Sequence, residues 1–306
     1  MNTTPPLLLE FEPTNGCNLR CEICPHGSPD EKNFPFYPKH KIKNMTFKEF
    51  KKILDSYDYK PIPRIQFCGT GEPLLNPELM DMINYAKSLG DNVELITNGT
   101  LLTQENIEKL KNTKLNLIRI SIDGPNEESY QRIRKYPLKK VAEKVKSLTN
   151  QTKIPVMVNC VVTKDNLNDL IDMPKFLHSI GATILELRLF DGGSAKMEFS
   201  IYEKNKIKEL YENIAKECKK LKIKFIPWQP TEYLNQDCLF NFEANINFEG
   251  YLTPCFNTPR IRIGEKLGTK PFSKIWNGKE AKKIRDELNN EVFTDDCKCI
   301  RTVNKI

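Results

Sequence analysis

Residues 64–99 read RIQFCGTGEPLLNPELMDMINYAKSLGDNVELITNG, and the spacing of their apolar residues changes twice along that stretch. RIQFCG (64–69) and NVELITNG (92–99) are short apolar runs ending in small or polar residues, the pattern of buried strands. Between them, residues 76–90 have an amphipathic helical pattern opened by the first-turn signal Asn76-Pro77. A strand, a Gly-rich turn, a helix and a second strand make one βαβ unit, and such units build parallel sheets.

The same alternation continues on both sides. Strand patterns recur at LLLEFE (7–12), LNLIRISIDG (115–124), IPVMVNCVVT (154–163) and TILELRLF (183–190). Helical patterns cover 46–58, 103–112, 126–148 and 166–180, with Thr46 and Thr103 placed as caps. Six units joined by right-handed crossovers predict an α/β fold, a partial (β/α)6 TIM-like barrel left open rather than closed at eight strands. A closing helix is expected over 199–221. After KFIPWQP (224–230) the texture changes to a hairpin, NINFEGYLTPC, turning near Glu249-Gly250, then a helix, NGKEAKKIRDELNN, and the tail DDCKCIRTVNKI. We expect residues 1–222 to form the barrel and 223–306 a small C-terminal α+β extension, which needs a metal or packing against the barrel to hold its shape. SPDEKNFPFYPKHKIKN (28–44) is a long Pro-rich loop placed to cover a site.

Composition limits what the chain does. Its 306 residues are 39% hydrophobic and 28% charged, with no run approaching a membrane span. The opening MNTTPPLLLEFEP has no basic n-region, so it does not read as a signal peptide. A cytoplasmic, reducing setting follows, where ten cysteines point to metal or redox chemistry rather than disulfides. The net charge of +7 fits lysines spread along solvated helix faces, as in KKILDSYDYK. Neither an aromatic RNA-binding consensus nor a long basic arm supports a nucleic-acid partner.

Three of the cysteines, Cys17, Cys21 and Cys24, lie within FEPTNGCNLRCEICPHG (11–27), just beyond the first strand and so at the C-terminal mouth of a barrel. Thiolates suit iron–sulfur clusters and zinc. Three of them leave one iron of a [4Fe–4S] cube open, whereas a structural zinc wants a fourth ligand. His26 is the nearby candidate, and it also reads as a loop residue bonded to backbone. Cys238, Cys255, Cys297 and Cys299 describe a second, closed site for zinc or another cluster. Cys68 and Cys218 read as inert. Cys160 is either a buried hydrophobe or, if its strand position faces the barrel interior, a hydrogen donor to a radical.

The three-cysteine loop together with CGTGEPLLNP (68–77), LITNGTLL (95–102) and ISIDGP (120–125) resembles the radical S-adenosylmethionine superfamily over about residues 7 to 222. The resemblance implies a [4Fe–4S] cluster on Cys17, Cys21 and Cys24 whose open iron is chelated by the amino and carboxylate groups of S-adenosylmethionine. It implies that backbone of Thr70, Gly71 and Glu72 lines the methionine amino group, and that Asn98 and Ser121 contact ribose and carboxylate. Arg134, with Arg132 as its alternative, looks like the arginine that pairs with the carboxylate. Ile23 stands where relatives often carry an aromatic residue, keeping apolar contact with adenine without stacking. The implied chemistry is one-electron: an external reductant such as flavodoxin or ferredoxin feeds the cluster, and a 5′-deoxyadenosyl radical abstracts hydrogen from substrate.

The C-terminal order of G-x4-C, helix and terminal cysteines is similar to the SPASM/twitch extension. That implies an auxiliary [4Fe–4S] cluster on Cys238, Cys255, Cys297 and Cys299, the last two spaced C-x-C where C-x2-C is more usual. The expected reaction is two-electron oxidation of a small polar, sugar- or cyclitol-like substrate, with the auxiliary cluster accepting an electron. Candidate substrate contacts are Asn159, Glu186, Arg188 and Asp191, with Glu186 or Asp191 as base. Alternation in ILELRLF places Glu186 and Arg188 on one face, and an internal Glu186–Arg188 pair is the other reading. With the first strand near residue 7, no peptide-recognition domain is expected before the barrel, an expectation that favours the small substrate. The alternatives are a radical peptide maturase or epimerase and, from another class, a zinc-dependent nucleic-acid-binding protein.

Overall fold

The computed structural model describes residues 4–24, 41–90, 92–189, 201–227, 240, 242–255 and 261–289. Strands β1 (Leu8–Phe11), β2 (Arg64–Phe67), β3 (Val93–Thr97), β4 (Leu117–Ser121), β5 (Val156–Val162) and β6 (Ile184–Leu189) lie side by side in chain order, all parallel. Helices α1 (Phe47–Asp55), α2 (Leu79–Leu89), α3 (Gln104–Thr113), α4 (Glu127–Arg134), α5 (Leu138–Gln151), α6 (Met173–Ile180) and α7 (Ile201–Lys220) make the connections. This is the expected α/β partial barrel.

Local chemistry sets the helix starts. At α1 the Thr46 hydroxyl accepts from the Glu49 N–H at 3.2 Å, and the Glu49 carboxylate accepts the Thr46 N–H at 3.0 Å, a complete capping box. The side chains of Thr103 and Asn126 cap α3 and α4 by accepting the N–H groups of Asn106 and Ser129. The helix expected over 126–148 is two helices. Lys135 at φ 55° ends α4, and Pro137, which cannot continue a helix, starts α5. The helix expected from 166 begins at Met173, because the Asn166 side chain is tied to the β4 and β5 ends, donating to the carbonyls of Asp123 and Val161 at 2.8 Å.

Alternation sorts the strands into two faces. One, with Leu9, Phe11, Ile65, Phe67, Val93, Leu95, Ile118, Ile120, Val158 and Leu187, packs under the helices as the main core. Phe11, Phe50 and Phe67 meet there at ring separations of 4.8 and 5.4 Å. The inner face is polar. Glu10, Gln66, Glu94, Arg119 and Glu186 occupy the opposite parity and bond to one another across strands.

Three strands extend the sheet. β7 (Lys224–Pro227) pairs parallel with β6. β8 (Glu243–Ile246) and β9 (Leu252–Thr253) form the expected hairpin, and β8 also pairs parallel with β1, so the order is β7-β6-β5-β4-β3-β2-β1-β8-β9. Helix α8 (Phe272–Trp276) docks on the end of α1 and leads into α9 (Lys279–Asn289). There the Phe272 N–H donates to the Ser56 carbonyl at 2.8 Å, and the Trp276 indole N–H to the Thr4 carbonyl at 3.0 Å. Arg285 lies 3.9 and 4.6 Å from the ring centroids of Trp276 and Phe240, which themselves meet edge to face at 5.5 Å, two cation–π contacts that hold α9. Among the described residues no helix is long and apolar enough to cross a membrane.

Candidate active site

Cys17, Cys21 and Cys24 follow β1 at the C-terminal end of the sheet, on a loop bolted to its neighbours through backbone. The Glu22 N–H donates to the Ile133 carbonyl at 2.8 Å, and the Glu72 N–H to the Gly16 carbonyl at 2.7 Å. Gly71 lies so close to this loop that a Cβ there would stand 2.2 Å from the Thr14 carbonyl oxygen and 2.6 Å from that of Gly16. Only glycine permits that approach. Asn76 adds a second tie, its amide donating to the carbonyls of Pro13 and Met45 at 2.8 Å each.

Burial pushes the Cys17 thiol up to about 11, with Glu72 and the other two cysteines adding to the rise. Burial also raises Cys21, against the pull of the Arg134 guanidinium. Cationic iron deprotonates a coordinating thiol outright, so the burial of Cys17 and Cys21 does not bar them from ligating a cluster. Among the described residues no three His, Cys, Asp or Glu side chains converge as ligands of one metal ion do. By donor chemistry, three thiols on one loop suit an iron–sulfur cluster with one iron left open, whereas a structural zinc wants four protein ligands. His26 lies outside the described residues.

Beside the loop, the turn after β2 is held from both sides. Gly69 takes φ +122°, and a Cβ there would fall 2.6 Å from the Glu12 side chain. Glu12 accepts the Thr70 N–H at 2.8 Å and also the Thr70 hydroxyl. Glu72, 2% exposed, accepts from the Leu74 N–H at 3.1 Å, the Thr97 hydroxyl at 2.7 Å and the Asn98 N–H at 2.8 Å. Burial raises its carboxyl and those three donors oppose the rise. The side chain of Glu72 thus fastens the β2 turn to the β3 end, leaving backbone to face the site. Asn98 donates to Asn18 at 3.0 Å and to the Cys17 sulfur at 4.0 Å while accepting from Thr100, so its amide braces the cysteine loop.

Arg134, at the end of α4, donates through Nε to buried Asp123 and through a terminal nitrogen to the Cys21 sulfur at 3.9 Å. Burial opposes its charge, but Asp123 and Cys21 outweigh that and hold the guanidinium protonated. Arg132 points elsewhere, pairing with Glu128 at 3.0 Å and with the Asp165 carbonyl. Ser121 ends β4 in register with Asn159 of β5, which in turn is in register with Glu186 of β6. Ile23 is half-buried between Cys21 and Cys24.

Below the mouth, the inner face is charged. Arg119 joins Glu94 at 2.9 Å and Glu186 at 3.3 Å, and Arg188 grips Glu186 at 3.1 Å. Glu186 therefore stands in an internal pair with Arg188, and Arg119 is a second partner that sequence reasoning missed. Glu10 accepts from Gln66 at 2.6 Å and from the Cys68 thiol at 3.6 Å. Burial, reinforced by Glu243, pushes the Glu10 carboxyl up to about 7. The Asn159 side-chain oxygen is buried with no hydrogen-bond partner. Polar residues at alternate positions of apolar strands were the signal for this lining.

Cys160 corrects one expectation. It has the parity of Val158 and Val162, is fully buried in the helix-side core, and so cannot reach a radical in the barrel interior. Among the described residues, Cys68 lies on the inner face, its thiol donating to Glu10. Cys255 follows β9 and is half-buried. Asp191, Cys238, Cys297 and Cys299 lie outside the described residues.

A family model described as the radical SAM superfamily matches residues 11–177, and one described as an iron–sulfur cluster-binding domain, SPASM, matches 238–300. The chain belongs to the radical S-adenosylmethionine superfamily and carries a SPASM domain, which sets aside the zinc-dependent nucleic-acid-binding alternative. These domains bind a [4Fe–4S] cluster, S-adenosylmethionine and an auxiliary iron–sulfur cluster. A probable GTP 3′,8-cyclase of Methanocaldococcus jannaschii is 30% identical over 81% of this chain and 84% of its own length. SuiB of Streptococcus suis, solved with S-adenosylmethionine and with its precursor peptide SuiA, superposes with TM-scores of 0.74 and 0.75 at 14% and 13% identity. The overlap covers 92% of this chain and 68% and 66% of those chains. BtrN, solved in complex with AdoMet and 2-DOIA, gives a TM-score of 0.52 at 16% identity over 96% of this chain and 92% of that one. At these identities the structures speak for fold alone.

Proposed function

We propose that this radical S-adenosylmethionine enzyme carries out a two-electron oxidation of a small polar, sugar- or cyclitol-like substrate. The observation that carries the reading is the inner face below the cysteine loop, where Glu10, Arg119, Glu186, Arg188 and the unpartnered Asn159 oxygen replace an apolar filling. Charged and polar groups are costly inside a barrel unless they are paired or meet a ligand rich in hydrogen bonds.

When bound, the cluster and S-adenosylmethionine supply a 5′-deoxyadenosyl radical for hydrogen abstraction. Cys17, Cys21 and Cys24 would hold the cluster, and backbone of Thr70 to Glu72 would line the methionine amino group. Arg134 would pair with the carboxylate, Asn98 and Ser121 would contact ribose and carboxylate, and Ile23 would keep apolar contact with the adenine. Asn159 accepts a substrate hydroxyl, and Glu186 or Asp191 takes the proton released as the carbonyl forms. Cys238, Cys255, Cys297 and Cys299 would hold an auxiliary [4Fe–4S] cluster whose chemistry is electron acceptance. On this reading residues 1–222 are the radical barrel and 223–306 the auxiliary-cluster unit, working in a reducing cytoplasm with flavodoxin or ferredoxin as electron donor.

The test is anaerobic turnover with carbon-deuterated candidates, following label into 5′-deoxyadenosine. Transfer from a deuterated aminocyclitol or sugar, with its ketone as product, is the expected result. Transfer only from peptides would overturn the substrate class and install the peptide-modifying alternative.

A further inference from the structure

We infer that Glu12 is a positioning residue that couples the C-terminal hairpin to the turn lining the S-adenosylmethionine site. Its two carboxylate oxygens face different parts of the chain. Oε1 accepts the Thr70 N–H at 2.8 Å and the Thr70 hydroxyl, and Oε2 accepts the Phe248 N–H, from the turn between β8 and β9, at 3.4 Å. The Glu12 backbone takes part as well, its N–H donating to the Ile246 carbonyl at 2.9 Å. Glu12 is 1% exposed, so water does not compete for these oxygens. Gly69 at φ +122° removes the side chain that would push the carboxylate aside. Burial raises the Glu12 carboxyl, and the Thr70 and Phe248 donors offset part of that rise.

The hairpin end of this link is itself braced. Asn247 accepts the N–H groups of Glu249 and Tyr251 at 3.1 and 2.9 Å, and its carbonyl accepts the Gly250 N–H at 2.8 Å. The shape of that turn aims the Phe248 N–H at Glu12, and Cys255 follows at the end of β9. Strain in the hairpin thus reaches Thr70 through one carboxylate. By reciprocity, S-adenosylmethionine binding changes the stability of the hairpin. The inference rests on cofactor binding at the Thr70 turn and not on the substrate class, so failure of the oxidation reading leaves it standing.

The test is a double-mutant cycle on the anaerobically reconstituted full chain, reading S-adenosylmethionine affinity by calorimetry, with iron and sulfide content matched. Glu12→Gln and Asn247→Ala should each weaken binding by about 5-fold or more. The double variant should be no weaker than the weaker single, since one link cannot be cut twice. If Glu12→Gln does not fold, Thr70→Val, which removes the hydroxyl donor to Glu12, replaces it in the cycle. The effect of S-adenosylmethionine on the paramagnetic spectrum of the reduced cluster should diminish in the same order. Effects that simply multiply in the double variant, or an Asn247→Ala protein that binds like the parent, would overturn the coupling.

Discussion

Glu10→Gln gives a test whose sign depends on pH. Burial, with Glu243 adding to it, lifts the Glu10 carboxyl from an ordinary 4.5 to about 7, against the Cys68 thiol and the charges of Arg188 and Arg64. A folded-state value above the unfolded one means that the folded chain holds the proton more tightly. The stabilisation is therefore complete below about pH 4.5 and is lost as pH rises through about 7. Each tenfold change in proton affinity is worth about 1.4 kcal/mol, so the full displacement amounts to roughly 3 kcal/mol. Glu10 keeps partial solvent contact, which lowers the expected figure to about 1–2 kcal/mol. Glutamine mimics the protonated acid, and its oxygen keeps the Gln66 and Cys68 bonds. The variant should match the parent at pH 4 and below and be more stable than it by that amount at pH 8. Urea unfolding of the reconstituted protein, followed by tryptophan fluorescence, reads this as a rise in midpoint at constant slope. Equal midpoints at pH 8, or the same shift at both pH values, would refute the reasoning.

Gly71→Ala should displace the turn from the cysteine loop and weaken iron retention at the first site by roughly 10- to 100-fold, measured by chelator competition. Asp123→Ala leaves Arg134 buried without its partner and the Val161 N–H unbonded, so unfolding free energy should fall by about 3–5 kcal/mol. The double variant Asp123→Ala/Arg134→Leu should recover part of that loss. Cys160→Ala should cost about 1 kcal/mol through its small cavity and leave the yield of 5′-deoxyadenosine unchanged. Phe50→Ala opens the aromatic cluster under β1 and β2 and should cost about 3–5 kcal/mol by the same urea assay.

Six strands and most helices could be read because each carries its own period and caps. What escaped was pairing between distant segments. EANI (243–246) reads as one arm of a hairpin, and nothing local says that its other neighbour is β1. KFIP (224–227) is too short to stand out as a strand, and it gains its place by pairing with β6. At the site, the cysteine loop and the GEP turn were visible as motifs, while their mutual support was not. Glu12, Asp123 and Arg119 look like ordinary polar residues until the strands align. The inner parity was settled for Glu186 and Arg188 by alternation. For Cys160 the same rule needed its neighbours Val158 and Val162, whose apolar character assigns that position to the helix side.

The pairing of β8 with β1 has a consequence for biogenesis. Residues 8–11, which lead directly into the first three cysteines, gain their second flanking strand only when residues 243–246 arrive. During synthesis, the earliest-made part of the sheet thus waits for one of the last. Contacts this distant in sequence form slowly. Metal loading of the N-terminal loop in its final shape then follows the arrival of residues 243–246 beside β1.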